Sequence, residues 1–435
     1  VCAAALLAAF VLPVRHAVLL ALAYTAGAEV YWRMAAPEVP WEWAKYLVAG
    51  AALAHLAVAR GDRPPGRWAL ALGAYVACLV PSLLVLASDP LQPMARISDA
   101  VRFYLLNPLA LAATAAVALR TELSRREWAR LLGAWLLGHV PILGVMGMAY
   151  LTVRARAGDD LRALFPDDST GLLTGGFGPN QVSGALGLAT LLGILLALDA
   201  RRSLVQRALA LGLALATATG SALTFSRGGL YGAGIALLAA LVVLARAPAE
   251  RRRVLGVVAV LGAVAVFVVT PRLVSLTGGM LATRFADTQP TGRDQLVLDD
   301  LLIFGAHPVL GVGPGEASEH RTLLAYGIGH TEYTRLLAEH GMPGLVAAVV
   351  LVALCVRAWR TGGTAWEHAV RVALGTWAAA SLAHLAMRIA DVAVALALAQ
   401  AGAGMLAHVA RTARPSHAAS PGARGHAAPT ILSTR

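Results

Sequence analysis

Charge is what this sequence has least of. Of its 435 residues, 14 % are Asp, Glu, Lys or Arg, against roughly 25 % in a soluble protein. A chain this poor in charge and 58 % hydrophobic has too little polar surface to face water alone, which excludes an ordinary soluble enzyme. Lysine is nearly absent. Lys45 is the only one, so the net charge of +12 rests on arginine. Cysteine is scarce too: Cys2, Cys78 and Cys355 stand in or beside apolar runs. They form neither a disulfide framework nor a metal-ligand spacing. A basic excess can signal nucleic acid. Here the arginines sit in short clusters between apolar runs, which argues for membrane orientation and against a nucleic-acid partner.

What is there is apolar sequence. A bilayer core takes about 20 apolar residues per helix. Such runs fall at 16–33, 43–60, 67–88, 99–119, 128–152, 179–199, 205–223, 227–246, 253–270, 343–360, 366–386 and 390–410, and 1–13 would add one more. The expected fold is therefore an all-α polytopic membrane protein with about 12 or 13 transmembrane helices, bathed in membrane lipid. The transmembrane domain is expected over 1–411. A tail at 412–435, rich in Pro, Ser, His, Ala and Arg, is expected to be disordered and cytoplasmic.

Arginine clusters at 60–67, 120–130, 201–207, 246–253 and 357–360 fall on one side of these spans. The positive-inside rule makes that side the cytoplasm. The opposite side carries the connections 34–42, 89–98, 154–178 and one large extracytoplasmic loop, 271–342. Function is expected there, at the outer leaflet.

Four polar constellations interrupt the outward connections. Gly175-Gly176-Phe177-Gly178-Pro179-Asn180-Gln181 turns into a span and sets two amides at the membrane edge. They serve either as a helix cap or as contacts to a substrate. Thr224-Phe225-Ser226-Arg227-Gly228-Gly229 places an arginine between two apolar runs. Such a charge faces a cavity or partner unless it snorkels to the interface. Gly292-Arg293-Asp294-Gln295 leads into an apolar stretch, Leu296 to Phe304. That stretch is expected to form an amphipathic helix on the membrane or over a cavity, capped by Thr291 or Asp294. The glycines of His307-Pro308-Val309-Leu310-Gly311-Val312-Gly313-Pro314-Gly315 lack the Lys-Ser/Thr pair of a phosphate loop, so a sharp turn explains them better. His330-Thr331-Glu332-Tyr333, followed by Arg335, Glu339, His340, Gly341 and Gly344, carries the loop into the next span. His330 and Tyr333 are spaced to share a helical face, and Arg388 and Asp391 to form a local ion pair.

In this order the motifs resemble those of the O-antigen ligase and polymerase superfamily of bacterial surface-glycan enzymes. The resemblance covers about 175–345 by motif and the remainder by hydropathy. It implies a membrane-embedded, metal-independent glycosyltransferase without a cofactor. Such an enzyme sits in the inner (plasma) membrane as a multi-pass protein with its active site facing the periplasm or exterior. It takes a glycan from an undecaprenyl pyrophosphate carrier and hands it to a glycan, lipid or protein acceptor. Position by position, the family's two arginines and loop histidine fall on Arg227, Arg293 and His330, the expected catalytic set. Asn180, Gln181, Ser226, Glu332 and Tyr333 stand beside them as substrate-binding candidates. Thr331 departs from the Asn that ligases often carry, which leaves the acceptor open. Two arginines suit the charge growing on a pyrophosphate leaving group. A histidine of pKa about 6.5 suits a general base, with Glu332 as the second candidate. The competing reading is a polytopic secondary transporter or lipid-linked glycan flippase. Against it stand the missing internal repeat and the few mid-span acidic residues. A structural scaffold leaves the large outer loop without a role.

Overall fold

The computed structural model describes residues 17–35, 38, 40–58, 66–88, 93–157, 171–287, 292–324 and 329–402. The expected first span at 1–13, the 412–435 tail, the end of the last span and Thr291 lie outside the described residues.

Every regular element among the described residues is helical. In chain order they are α1 (Ala17–Ala35), α2 (Trp43–Val58), α3 (Arg67–Leu79), α4 (Leu83–Ala87), α5 (Pro93–Asp99), α6 (Leu106–Leu119), α7 (Arg125–Ala157), α8 (Pro179–Ala197), α9 (Leu204–Leu223), α10 (Gly228–Ala245), α11 (Pro248–Val264), α12 (Thr270–Leu276), α13 (Met280–Ala286), α14 (Arg293–Ala306), α15 (Ala317–His320), α16 (Glu332–Arg360), α17 (Ala365–His384) and α18 (Ala390–Leu398). Single π-helical stretches join α5 to α6 and α11 to α12.

Among the described residues, seven helical stretches are long and apolar enough to cross a membrane. They are α3 with α4, α5 with α6, α7, α8, α10, α11 with α12, and α16. All twelve expected spans contain helix, but α1, α2, α9, α17 and α18 are shorter or less apolar. Among the described residues, length and composition therefore support seven spans of the 12 or 13 expected from hydropathy. The cause is visible in α1, where Glu29 and Arg33 occupy a buried face. α18 is the most enclosed helix, with all nine residues buried.

Small residues let the helices close on one another, as membrane helices need when water supplies no driving force between them. A Cβ on Gly27 of α1 would come 2.6 Å from the Trp135 carbonyl of α7. One on Gly138 of α7 would come equally near the Tyr24 carbonyl. At the crossing of α8 and α10, a side chain on Gly187 or Gly229 would collide with the opposite backbone. The α11–α12 span stands apart: 6 % of its apolar window is buried inside the protein, against 83 % for α8. Its surface is left for lipid.

The large loop is shorter than its hydropathy suggests. The span expected to end at 270 continues as helix to Leu276, and α16 starts at Glu332 rather than at 343. The expected start marks a real discontinuity, because α16 breaks at Gly341 (φ 61°, ψ −138°) ahead of Pro343. A break of this kind strands backbone groups that a membrane protein must satisfy. The glycine run supplies the partners. Val312 N–H donates to the Ala338 carbonyl at 3.0 Å and Gly313 N–H to the Glu339 carbonyl at 3.1 Å, while Met342 N–H donates back to the Pro308 carbonyl at 2.8 Å. The run is a splint for the broken helix.

The connections segregate to two ends. At one end the basic loops meet: Arg125 pairs with Asp199 at 2.7 Å and Arg202 donates to the Ala129 carbonyl. At the other, the turns after α1, before α8, before α10 and before α18 gather with the loop between α12 and α16.

Candidate active site

Arg227 is placed by a tied turn. α9 ends at Leu223, and Phe225 adopts a left-handed conformation (φ 58°) unusual for a side chain of its size. Ser226 is buried. Its hydroxyl donates to Asn180 Oδ1 at 2.7 Å, and its carbonyl accepts the Ser183 hydroxyl at 2.8 Å. Asn180 and Ser226 therefore join the two motif turns to each other. Arg227 follows as the residue that leads into α10. Gly228 and Gly229 leave no room for side chains against His384 and Ser183, which lets α10 seat closely.

Arg293 opens α14 behind Gly292, whose φ of 76° only glycine adopts readily. No side chain caps this helix, and Asp294, an expected cap, is an exposed first-turn residue. Burial pushes the Arg293 guanidinium below its ordinary pKa, and so do the positive charges of Arg227 and Arg284. Arg284 also donates to the Phe225 carbonyl at 3.2 Å. Three arginines thus converge from α10, α13 and α14. Among the described residues no carboxylate lies within 4 Å of Arg293. Such a cluster concentrates positive charge, with Arg284 also 3.6 Å from Asp287.

His330 lies next to this cluster but outside the helix, since α16 begins at Glu332 with Thr331 at its N-cap. The shared helical face with Tyr333 is therefore not formed. The Tyr333 hydroxyl points to α17, donating to the Ala379 carbonyl at 3.4 Å. Burial takes the His330 imidazole down to a pKa of about 4, with further depression from Arg388, Arg293, His384 and Arg321. The imidazole is neutral at physiological pH.

Two aspartates within the apolar stretch of α14 hold residues on either side of His330 in sequence. Asp299 accepts the backbone N–H groups of Thr322, Leu323 and Leu324 at 3.0–3.1 Å. Asp300 takes Arg321 at 2.5 Å and the Thr334 hydroxyl at 2.7 Å. α14 is thus a scaffold on its polar side, while Leu298, Leu301 and Leu302 stay exposed on the other. The hydropathy reading missed both aspartates. Their signal was two adjacent acids inside a nine-residue apolar stretch.

Beside His330 opens a cavity of about 250 Å³. Gln181 and Glu332 line it, with Trp41, Tyr104, Gly329 and Arg388. Gln181 Oε1 accepts Arg33 at 3.2 Å. Glu332 is fully buried, gripped by Arg335 at 2.5 Å, and accepts the Met387 N–H at 3.2 Å. Both carboxylate oxygens of Glu332 are thus engaged by Arg335 and by the Met387 backbone. The expected Arg388–Asp391 pair does not form either. Ile389 between them is extended (φ −119°, ψ 149°), so the i,i+3 geometry of a helix is absent. Asp391 instead accepts Trp135 Nε1 at 2.7 Å and pairs with His139 Nε2 at 3.0 Å, deep in the bundle. Arg388 donates to the Gly329 carbonyl at 2.6 Å.

Fold and site together define a polytopic helical membrane protein with a cationic cluster and a neutral histidine at one end. Residues 212–349 match the family model of the O-antigen ligases, a segment that holds Arg227, Arg293 and His330. That segment, under half of the chain, is what resembles the O-antigen ligases. No curated protein matches the chain.

Proposed function

We propose that this protein transfers a glycan from an undecaprenyl pyrophosphate carrier to an acceptor at the outer leaflet of the inner membrane, in surface-polysaccharide assembly of the ligase or polymerase type. The observation that carries the reading is the meeting of Arg227, Arg293 and His330 from three separate elements at one end of the bundle. Arg227 and Arg293 bind the pyrophosphate, and His330 accepts the proton of the attacking hydroxyl. The new bond forms between the acceptor oxygen and the anomeric carbon. The bond from that carbon to the phosphate oxygen breaks, and its electron pair leaves with the pyrophosphate. The proton taken by His330 passes to solvent. Fixed positive charge aimed at the departing oxygen contributes roughly 3–4 kcal/mol per donor in a sheltered site.

The neutral state of His330 supports this role, because a protonated imidazole cannot take a proton. The transporter reading has no comparable support, since the cationic cluster sits at one end and not at the membrane midplane. The test is glycan transfer by the purified chain in lipid nanodiscs. Arg227→Ala and Arg293→Ala are each expected to lower kcat by roughly 10²–10³-fold, and His330→Ala to abolish turnover. Full transfer by all three variants, or substrate counterflow without transfer, would sink the reading.

A further inference from the structure

The cavity beside His330 carries a pattern that glycan transfer in general does not require. Five cations line it. Arg33 is paired with Glu29 and Glu42, Lys45 with Glu42 at 2.5 Å, Arg321 with Asp300 at 2.5 Å, and Arg335 with Glu332 and Glu339. Arg388 alone has no carboxylate within 4 Å among the described residues. One of its nitrogens is spent on the Gly329 carbonyl, and the side chain lines the cavity.

The turn that presents Arg388 is strained and heavily tied. Only two non-glycine residues among those described have positive φ: Phe225, two residues before Arg227, and Ala386, two residues before Arg388. Strain of this kind persists where surrounding contacts over-determine it, and it concentrates at functional sites. Here Asn107 Nδ2 donates to the Met387 and Ile389 carbonyls at 2.8 and 2.9 Å, while Glu332 and Glu29 accept the N–H groups of Met387 and Ala390. Arg388 is thus delivered in the same manner as Arg227.

The two cationic groups are separate. His330 feels both Arg293 and Arg388, whereas the charges acting on Arg293 are Arg227 and Arg284. His330 therefore stands between two anion seats. The first suits the donor's pyrophosphate. The second is the wall of a cavity with the aromatic faces of Trp41 and Tyr104 and polar groups of Gln181 and Ser318. Aromatic faces with a few placed polar groups suit a sugar ring, and about 250 Å³ suits a short end of glycan rather than a chain.

We propose that this cavity holds the terminal sugar of the acceptor and that Arg388 selects an acceptor bearing an anionic substituent, a carboxylate or a phosphate. The proposal rests on the glycosyltransferase reading for the word acceptor, but the anion preference stands or falls independently of it. The probes are methyl β-glucuronide, methyl β-glucoside 6-phosphate and neutral methyl β-glucoside, with binding to the full chain in nanodiscs followed by saturation-transfer NMR. The anionic ligands are expected to bind the wild type roughly tenfold more tightly than the neutral one, as a charge-assisted hydrogen bond implies. Arg388→Met is expected to erase that preference while keeping neutral-sugar binding, and Arg388→Lys to retain part of it. Arg293→Ala is expected to keep it. The ratio between uronide and phosphate identifies which anion the site prefers. No preference in the wild type overturns the proposal. So does an equal loss for all three ligands in Arg388→Met, which would mean that Arg388 only anchors Gly329. A preference lost in Arg293→Ala but kept in Arg388→Met overturns it too, by moving the anion to the donor seat. If the preference holds but no glycan is transferred, the anion site survives and the transfer reading fails.

Discussion

His330 is the candidate-site residue whose environment most directly sets its chemistry. Its depressed pKa of about 4 means that protonation is disfavoured by burial and by neighbouring arginines. For catalysis the sign is clear: the base stays competent as pH falls below 6.5 and is lost only as pH passes through about 4. The acid limb of kcat/KM, which reports the free enzyme, is expected near that value. A pyrophosphate on Arg227 and Arg293 offsets the positive charge that His330 feels, so the acid limb of kcat is expected at a higher pH. Parallel pH profiles of kcat and kcat/KM check this, and identical limbs at 6.5 would refute it. Glu332→Gln belongs at the same scale. Its buried pair with Arg335 makes the change destabilising, since Arg335 is left with Glu339 as its one remaining carboxylate among the described residues. The thermal midpoint is expected to fall while the acid limb stays in place.

The broken α16 and the glycine run that splints it act as one element. A methyl group on Gly341 would meet the Pro308 carbonyl at 2.6 Å and the Val309 backbone at 2.7 Å, and φ there is 61°. Gly341→Ala is therefore expected to cost several kcal/mol, above the ~1–3 kcal/mol of left-handed strain alone. A melting curve in detergent reads the loss. α14 acts through its two aspartates. Asp300→Asn removes the carboxylate charge that Arg321 meets in the buried pair, a change worth about 3–5 kcal/mol in comparable pairs. Its effect is expected on the loop that carries His330, so kcat should fall far more than insertion into the membrane. Equal kcat in Asp300→Asn and wild type would mean that the loop needs no such anchor.

At the scale of the whole molecule, the two ends differ in chemistry. Basic connections meet at one and the candidate site at the other, as the positive-inside rule requires if the site faces outward. In a chain lacking Cys2, Cys78 and Cys355, Glu319→Cys is expected to react with an impermeant maleimide in intact cells. Arg201→Cys is expected to react only after permeabilisation. The reverse pattern would put the site in the cytoplasm and remove an outer-leaflet acceptor. The α11–α12 span is turned almost wholly to lipid, and α14 exposes leucines of its own at the end that holds the site.

The amino-acid sequence by itself determined that the chain is helical and membrane-bound, because long apolar runs with so little charge have no other solvent. Motif order also pointed to Arg227, Arg293 and His330, since each motif is a local string of turn-forming and charged residues. Tertiary structure decided what the remaining polar residues touch. Ser226 with Asn180 ties two turns together, Glu332 is locked by Arg335, and Tyr333 points to α17. Local spacing suggested an ion pair between Arg388 and Asp391. Packing gave Asp391 to Trp135 and His139 and turned Arg388 toward the loop of His330. The physical reason is range. Hydropathy and turn chemistry act over a few residues, whereas a buried charge takes its partner from whichever element folding brings beside it.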